Sequence, residues 1–219
     1  MMDLDSIDIS LDSSDPQQKM KAIRGLNNYD PEVAVPRLKA NIRDREFLVR
    51  SFIAMGLGKQ QSAESFATLL EMMKFDSDPN VRAEAANSLS LFGSVAVSHL
   101  ALMFEQDAHW LVRRSIIAAL SELHCTDEFF EVCVLGLQGE DQSVIESCIY
   151  CLGSFADTAK ETAAIEKLLL LTDDEYWRTR MQAARALGKF NNERAIAALN
   201  KLKEDLDHRV VGAVLESTV

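Results

Sequence analysis

One pattern recurs along this 219-residue chain with a period near 32 residues, and it constrains the fold more than any other feature. Each copy ends on a leucine that closes an apolar stretch. These anchor leucines are Leu26, Leu57, Leu89, Leu120, Leu152 and Leu187, separated by 31, 32, 31, 32 and 35 residues. Such a period is typical of stacked supersecondary units that bury their apolar faces on one another.

A basic residue stands seven positions before most anchor leucines. The six positions hold Lys19, Arg50, Arg82, Arg113, Ile145 and Arg180. Small or aliphatic residues follow three and six positions later, as Ala85 and Ser88 do after Arg82. Spacings of three and four place these side chains on one helical face, where small residues allow a neighbouring helix to approach closely. The pattern therefore predicts one helix per unit, called the first helix below.

A second amphipathic stretch follows each first helix. These stretches are 31–42, 61–74, 94–105, 127–138, 158–171 and 192–204. Pro36 is expected to shorten or kink the earliest of them. Gly93, Gly153 and Gly188 stand where first helices end, and the sequence predicts a left-handed conformation there.

Acidic turns separate one unit from the next. They contain Asp44, Asp76 with Asp78, Asp107, Asp141, Asp173 with Asp174, and Asp207, which we expect to cap the following first helices. An acidic turn followed by valine and arginine resembles the signature of HEAT repeats. In that family the arginines pair with acidic turn residues of adjacent units, so we predict such pairs for Arg50, Arg82, Arg113 and Arg180. Contact of these arginines with an acidic partner is the alternative.

This resemblance implies an all-α fold, an α–α superhelix (solenoid) of about six HEAT-type hairpins. The expected domains are an acidic N-terminal segment over 1–14 and a single solenoid domain over 15–219, with 205–219 as an incomplete terminal helix. The aspartate-rich N-terminal segment has three interpretations, a partly ordered tail, a docking segment or a cap on the first hairpin.

Charge and hydropathy narrow the classes of function. The formal net charge of −11 argues against nucleic acids and anionic membranes as partners. No apolar run reaches 18 residues, so membrane insertion is not expected, and no secretory signal precedes the repeats. The sequence predicts a cytoplasmic protein whose four cysteines remain thiols.

The chain offers little conventional catalytic chemistry. Cys148 and Cys151 form a C-x-x-C pair, but both occupy positions that other repeats fill with small core residues. They are therefore expected to be buried structural thiols. The four histidines are scattered without metal-ligand spacing, and no phosphate loop or nucleophile motif is present. We predict no catalytic residue, no metal site and no required cofactor, and a binding protein rather than an enzyme.

Two clusters of residues do not follow the residue pattern of the repeat, and both contain a tryptophan at the start of a first helix. The candidate residues are His109, Trp110 and Arg114 in one cluster, and Tyr176, Trp177 and Arg178 in the other. Tryptophan and arginine dominate the energetics of interfaces and suit acidic planar ligands. Packing between repeats is the alternative explanation.

The segments VRSFIAMGLGKQ at 49–60 and DPNVRAEAANSLSLFG at 78–93 resemble cyanobacterial HEAT-repeat proteins of phycobilisome metabolism. That group includes the phycobilisome degradation protein of the non-bleaching B type and the phycobilin lyases of the E/F type. The resemblance implies binding to phycobiliprotein subunits, phycocyanin or allophycocyanin, with phycocyanobilin as a candidate ligand. Single-chain length favours assistance in phycobilisome degradation or bilin detachment. The alternatives are a bilin lyase or lyase subunit, and a generic protein-interaction scaffold.

Overall fold

The computed structural model describes residues 2–217, and this part of the chain is entirely helical, without a β-strand. Three short 3₁₀ turns accompany the α-helices. The helices are α1 (Leu4–Leu11), α2 (Pro16–Leu26), α3 (Pro31–Ala40), α4 (Phe47–Gln60), α5 (Ala63–Phe75), α6 (Pro79–Ser90), α7 (Val97–Gln106), α8 (Trp110–Ser121), α9 (Thr126–Gly136), α10 (Gln142–Leu152), α11 (Glu161–Leu170), α12 (Trp177–Leu187), α13 (Glu193–Leu202) and α14 (His208–Ser217).

The predicted fold class is confirmed, because first and second helices alternate in the expected order. The first helices are the even-numbered α2 to α14, and the second helices are the odd-numbered α3 to α13. The chain forms two compact units that divide after Leu123. Within each unit, consecutive first helices pack closely on one another, whereas consecutive second helices make few mutual contacts.

The core follows the periodic positions. All six anchor leucines are fully buried, as are small residues such as Ala22 and Ala85. The close approach of α4 and α6 depends on Gly58, since a Cβ atom there would lie 2.8 Å from the Cβ of Ser88. Pro36 leaves α3 ten residues long, the same length as α7.

The predicted pairing of arginines with acidic turns is confirmed at four steps, which we call the ladder. Its pairs are Lys19–Asp44 at 2.5 Å and Arg50–Asp76, Arg82–Asp107 and Arg180–Asp205, each at 2.7 Å. Each arginine also donates to the backbone of its own turn, for example from Arg82 Nη1 to the Asp76 carbonyl oxygen at 3.0 Å. The ladder thus ties each of these first helices to its own turn and to the next one.

Helix capping is only partly as predicted. Asp141 caps α10 by accepting from the amides of Ser143 and Val144, and Asp78 caps α6 by accepting from the amide of Asn80. Asp44, Asp76 and Asp107 each lie two residues before the N-cap residue of a first helix, α4, α6 and α8 in turn. The side chain of each aspartate accepts a hydrogen bond from the amide of that N-cap residue. Their second role as ladder partners explains this placement.

The predicted left-handed glycine is confirmed at Gly93, where φ is +74°, and is wrong at Gly153 and Gly188, where φ is −66° and −62°. The chain continues from Gly153 into a 3₁₀ turn, and hydrogen-bonded turns follow Gly188. Neither helix end therefore requires a residue with a left-handed backbone conformation. A non-glycine residue, Gln61, adopts a positive φ of 45° at the end of α4.

The N-terminal segment contains a helix. Asp3 caps α1 through the amide of Ser6, and Ile7 and Leu11 are buried against the first hairpin. Asp8 accepts two hydrogen bonds from Arg37 of α3, at 2.7 and 3.1 Å. Residue 1 of the predicted segment and residues 218 and 219 of the predicted terminal helix lie outside the described residues.

Candidate functional site

The first aromatic cluster lies at the start of α8. Trp110 is the first residue of the helix and is 42% exposed. The His109 ring stacks beside it at 5.9 Å between centroids, and the Arg114 guanidinium lies 5.9 Å from the indole centroid. His109 also has a structural role, because its Nδ1 accepts the amide of Leu111 at 3.2 Å and caps the helix. The structure therefore brings these three predicted residues together with an exposed indole.

The second cluster occupies the same position of the repeat at the start of α12. Tyr176 is the N-cap residue without a side-chain capping bond, and its ring lies 6.2 Å from that of Trp177. The Arg178 guanidinium lies 5.3 Å from the indole centroid. The three predicted residues are again contiguous, with Tyr176 and Arg178 exposed.

Sequence reasoning missed a fourth member of this second cluster. The Arg209 guanidinium lies only 3.3 Å from the Trp177 ring centroid. Arg209 is held there by two hydrogen bonds to Asp207, at 2.7 and 2.9 Å, and these bonds lower the pKa of that carboxyl group well below its usual range. One face of the Trp177 indole is therefore already covered. The sequence contains a signal for this contact, since Arg209 is the second residue of α14 just as Arg178 is the second residue of α12.

Several surface grooves lie beside the ladder pairs, and no single groove stands out. One of about 530 Å³ is lined by Arg82, Asp107 and His109. Similar grooves of about 380 and 480 Å³ lie beside Arg50 and Arg180. Because they recur with the hairpins, the groove next to His109 does not distinguish that cluster as a small-molecule site.

The cysteines lie in the core of the second unit, as predicted. Cys148 and Cys151 are on the buried side of α10, and both contact Cys133 of α9. Contact with these two thiols, together with burial, raises the pKa of Cys133. A thiol in this environment is a poor nucleophile. Among residues 2–217 no group of histidine, cysteine and acidic side chains is arranged to hold a metal ion.

The model of the HEAT-repeat family matches residues 35–121 and 131–218, which is most of the chain. A comparison with curated proteins finds no significant match. In the part of the chain that is described, no helix combines the length and the apolar character that crossing a bilayer requires.

Solved structures show the same fold. YibA from Escherichia coli aligns with 96% of this chain and 80% of its own, at 16% identity and a TM-score of 0.65. The complex of CpcE and CpcF of phycocyanin lyase from Nostoc sp. PCC7120 aligns with 100% of this chain and 96% of that chain, at 19% identity and a TM-score of 0.54. Human deoxyhypusine hydroxylase reaches a TM-score of 0.45 at 18% identity, covering 97% of this chain and 93% of its own, and nothing is inferred from it.

Proposed function

Because this chain belongs to the family of HEAT-repeat proteins, we propose that it works by binding another protein, and that the partner is a phycobiliprotein subunit, phycocyanin or allophycocyanin. Stacked hairpins leave one face of every helix exposed along each unit, which suits them to bind macromolecules. The repeat itself is a packing pattern, so the partner must be argued from other observations.

Two observations support the choice of partner. The segments 49–60 and 78–93, which resemble HEAT proteins of phycobilisome metabolism, form helix α4 and helix α6 with its cap. In addition, the phycocyanin lyase complex shares the fold over the full length of this chain. Together they favour a role with phycobiliproteins, which we propose to be assistance in phycobilisome degradation or bilin detachment in the cytoplasm.

The observation that carries the proposal is the exposed Trp110 flanked by His109 and Arg114. An exposed indole with a guanidinium beside it can anchor a protein interface and can stack on a planar tetrapyrrole whose propionates meet the arginine. Phycocyanobilin is therefore the ligand we propose for this cluster when the partner's bilin is exposed. The Trp177 cluster has one indole face covered by Arg209 and suits protein contact better.

A bilin lyase activity is the second candidate. It is favoured by the fold shared with the lyase complex. The two functions have opposite effects on the bilin. A lyase attaches the bilin to a cysteine of the partner, whereas the degradation role leads to release of the bilin.

The experiment combines the protein with purified phycocyanin, and separately with apo-phycocyanin and free phycocyanobilin. Co-elution in size-exclusion chromatography reports binding, and visible absorbance reports the state of the bilin. We expect a complex with phycocyanin, weakened in the variant Trp110→Ala/Arg114→Ala. Arg45→Ala/Arg194→Ala, which removes two exposed arginines from other surfaces, is the matched control.

Three results separate the candidates. Co-elution with loss of bilin absorbance supports the detachment role. Covalent bilin on the apo-subunit, stable to denaturing electrophoresis, replaces it with the lyase activity. Absence of any complex with holo- or apo-phycocyanin contradicts the phycobiliprotein proposal and leaves a scaffold for other proteins.

A further inference from the structure

The charges of this protein are segregated between its helices. The seven first helices hold 12 of the 23 lysines and arginines but only 3 of the 34 aspartates and glutamates. They therefore carry a formal charge of +9, while the remaining 11 basic and 31 acidic residues carry −20, which together give −11. The negative net charge therefore hides an excess of basic residues in the first helices, which we call the basic layer.

Part of this positive charge is used internally, because the ladder neutralises Lys19, Arg50, Arg82 and Arg180. One basic stretch of the sequence lies around α12. Residues 176–192 contain four basic side chains and no acidic one. After Arg180 is set aside, Arg178, Arg185 and Lys189 remain, and all three are exposed.

Arg178 and Arg185 share one face of α12, because positions seven residues apart differ by close to two helical turns. They are about 10 Å apart along the helix axis at 1.5 Å per residue. Lys189 stands in the turn that follows the end of α12 at Leu187. We call these three side chains, together with Tyr150, the α12 face.

Contacts between neighbouring first helices make the face continuous. Lys189 Nζ lies 4.3 Å from the ring centroid of Tyr150 on α10, and Tyr150 is 65% exposed. On the other side, Arg185 meets Glu216 of α14 at 3.1 Å, in a pair that is exposed to solvent and correspondingly weak. Within residues 2–217, neither Arg178 nor Lys189 has a carboxylate partner.

We propose that the α12 face docks a protein surface that carries clustered aspartate and glutamate side chains. The inference rests on the proposed function only in that the ligand is a protein. Basic and aromatic side chains interleave on this face, as they do in interfaces where arginine and tyrosine anchor the contact and charge guides the encounter. An acidic patch is the complementary surface, and the α12 face offers it two cations that have no carboxylate partner among residues 2–217.

The alternatives have a weaker physical basis. An extended polyanion such as nucleic acid is disfavoured by the formal net charge of −11. A small anion requires a concave site that buries most of its surface, and the side chains of the α12 face are exposed.

The test compares two triple variants of the full chain. Arg178→Ala/Arg185→Ala/Lys189→Ala removes the charges of the α12 face. Arg194→Ala/Lys201→Ala/Lys203→Ala removes three exposed charges on and just after α13, and so produces the same net charge. Circular dichroism and thermal unfolding establish that both variants are folded. Binding to phycocyanin, to a fluorescent glutamate-rich peptide and to a single-stranded oligonucleotide of equal charge is measured at 50 and 300 mM NaCl.

We expect the face variant to lose about tenfold or more in affinity for phycocyanin and for the peptide at low salt, and the α13 variant to lose less than twofold. Equal affinities of the two variants would overturn the proposal, as would tighter binding of the oligonucleotide than of the peptide. Peptide binding that depends on the face, without phycocyanin binding, supports the docking surface while contradicting the phycobiliprotein partner. Phycocyanin binding that neither variant weakens supports the phycobiliprotein partner and contradicts the docking role of the α12 face.

Discussion

At the scale of single residues, the ladder aspartates perform two tasks with one carboxylate. Asp76 accepts the amide of Asp78 at 2.9 Å and receives two hydrogen bonds from Arg50, at 2.7 and 2.8 Å. Both partners are largely buried, with side-chain exposures of 11% for Arg50 and 6% for Asp76. A charge in this position is costly when it loses its partner, because water cannot fully replace the guanidinium.

We therefore predict that Arg50→Ala lowers the free energy of unfolding by about 2 to 4 kcal/mol. The measurement is urea denaturation at pH 7, followed by circular dichroism. Arg114→Ala is the matched control, since Arg114 is exposed and outside the ladder, and it should change stability by about 0.5 kcal/mol or less. Similar losses in both variants would show that the ladder contributes no more than surface charge.

The ladder also predicts a pH dependence. Hydrogen bonds from Arg180 hold the pKa of Asp205 below its ordinary value of 3.8. The unfolded chain therefore binds a proton at this site before the native state does, and stability falls with decreasing pH. The contribution is complete above about pH 5 and is lost as the pH falls through 3.8 toward the lower native pKa.

In Arg180→Gln this part of the acid sensitivity should disappear, because the pKa of Asp205 returns toward its ordinary value. Urea unfolding at pH 6, 4 and 3 measures the difference, with Arg178→Gln as the control that keeps the ladder intact. Parallel stability curves for the native protein and Arg180→Gln would contradict the assignment.

Residue contacts were predictable only where the repeat dictates them. The ladder follows from a constant spacing between arginine and the acidic turn, so the sequence predicts it at Arg50, Arg82, Arg113 and Arg180. At Arg113 the side chain donates to the carbonyl oxygen of Asp107 in its own turn. Capping by His109 and stacking of Arg209 on Trp177 are particular to single repeats. Such contacts depend on side-chain directions that only the packed helices determine.

At the scale of helices, close packing of first helices is the source of stability. Gly58 of α4 lies against Ser88 of α6, so the added methyl group in Gly58→Ala would meet Ser88 side-chain and backbone atoms at 2.8 to 3.2 Å. Among residues 2–217, nothing lies within 4 Å of a Cβ atom placed on Gly212 in α14. The two glycines thus separate the effect of close packing from that of helix propensity.

We predict that Gly58→Ala destabilises the protein by about 1 to 3 kcal/mol, because the two helices must separate or shift. Gly212→Ala should instead stabilise it by about 0.5 to 1 kcal/mol, through the better helix propensity of alanine. Denaturant midpoints of both variants provide the measurement. A stabilising Gly58→Ala would mean that α4 and α6 tolerate a wider spacing than the structure shows.

The number, order and type of the helices were predictable because the apolar period is long and repeated. Their ends were less so. The same leucine–glycine signal precedes a 3₁₀ turn at Gly153 and hydrogen-bonded turns after Gly188, and neither glycine is left-handed. The conformation at a helix end is decided by where the next helix must begin, which is a tertiary constraint. The N-terminal segment was left open for a similar reason, since burial of Ile7 depends on the hairpin that receives it.

At the scale of the whole molecule, the candidate site was predictable in its residues and not in its electrostatics. The two tryptophan clusters stand out in the sequence, whereas the basic layer emerges only when charges are assigned to first and second helices. The net charge of −11 alone does not reveal how the charges are distributed. The helical arrangement shows that the acidic groups belong mainly to the second helices and turns.

This distribution predicts how salt affects stability. Four of the 31 acidic residues outside the first helices belong to the ladder. The others repel one another through solvent, and a Debye length of about 10 Å at 0.1 M salt is short enough to screen them. The ladder pairs are largely buried and are screened much less. Added NaCl should therefore remove more repulsion than attraction.

We expect the melting temperature at pH 7 to rise by about 2 to 5 °C between 0.02 and 0.3 M NaCl. Screening saturates in this range, whereas stabilisation by exclusion of salt from the protein surface continues into molar concentrations, so the shape of the curve identifies the cause. The variant Glu32→Gln/Glu105→Gln, which removes two acidic residues of second helices, should start from a higher melting temperature at low salt and gain less from added NaCl. A melting temperature that falls with added salt would show that exposed ion pairs, and not the repulsion among second helices and turns, dominate the electrostatics of this protein.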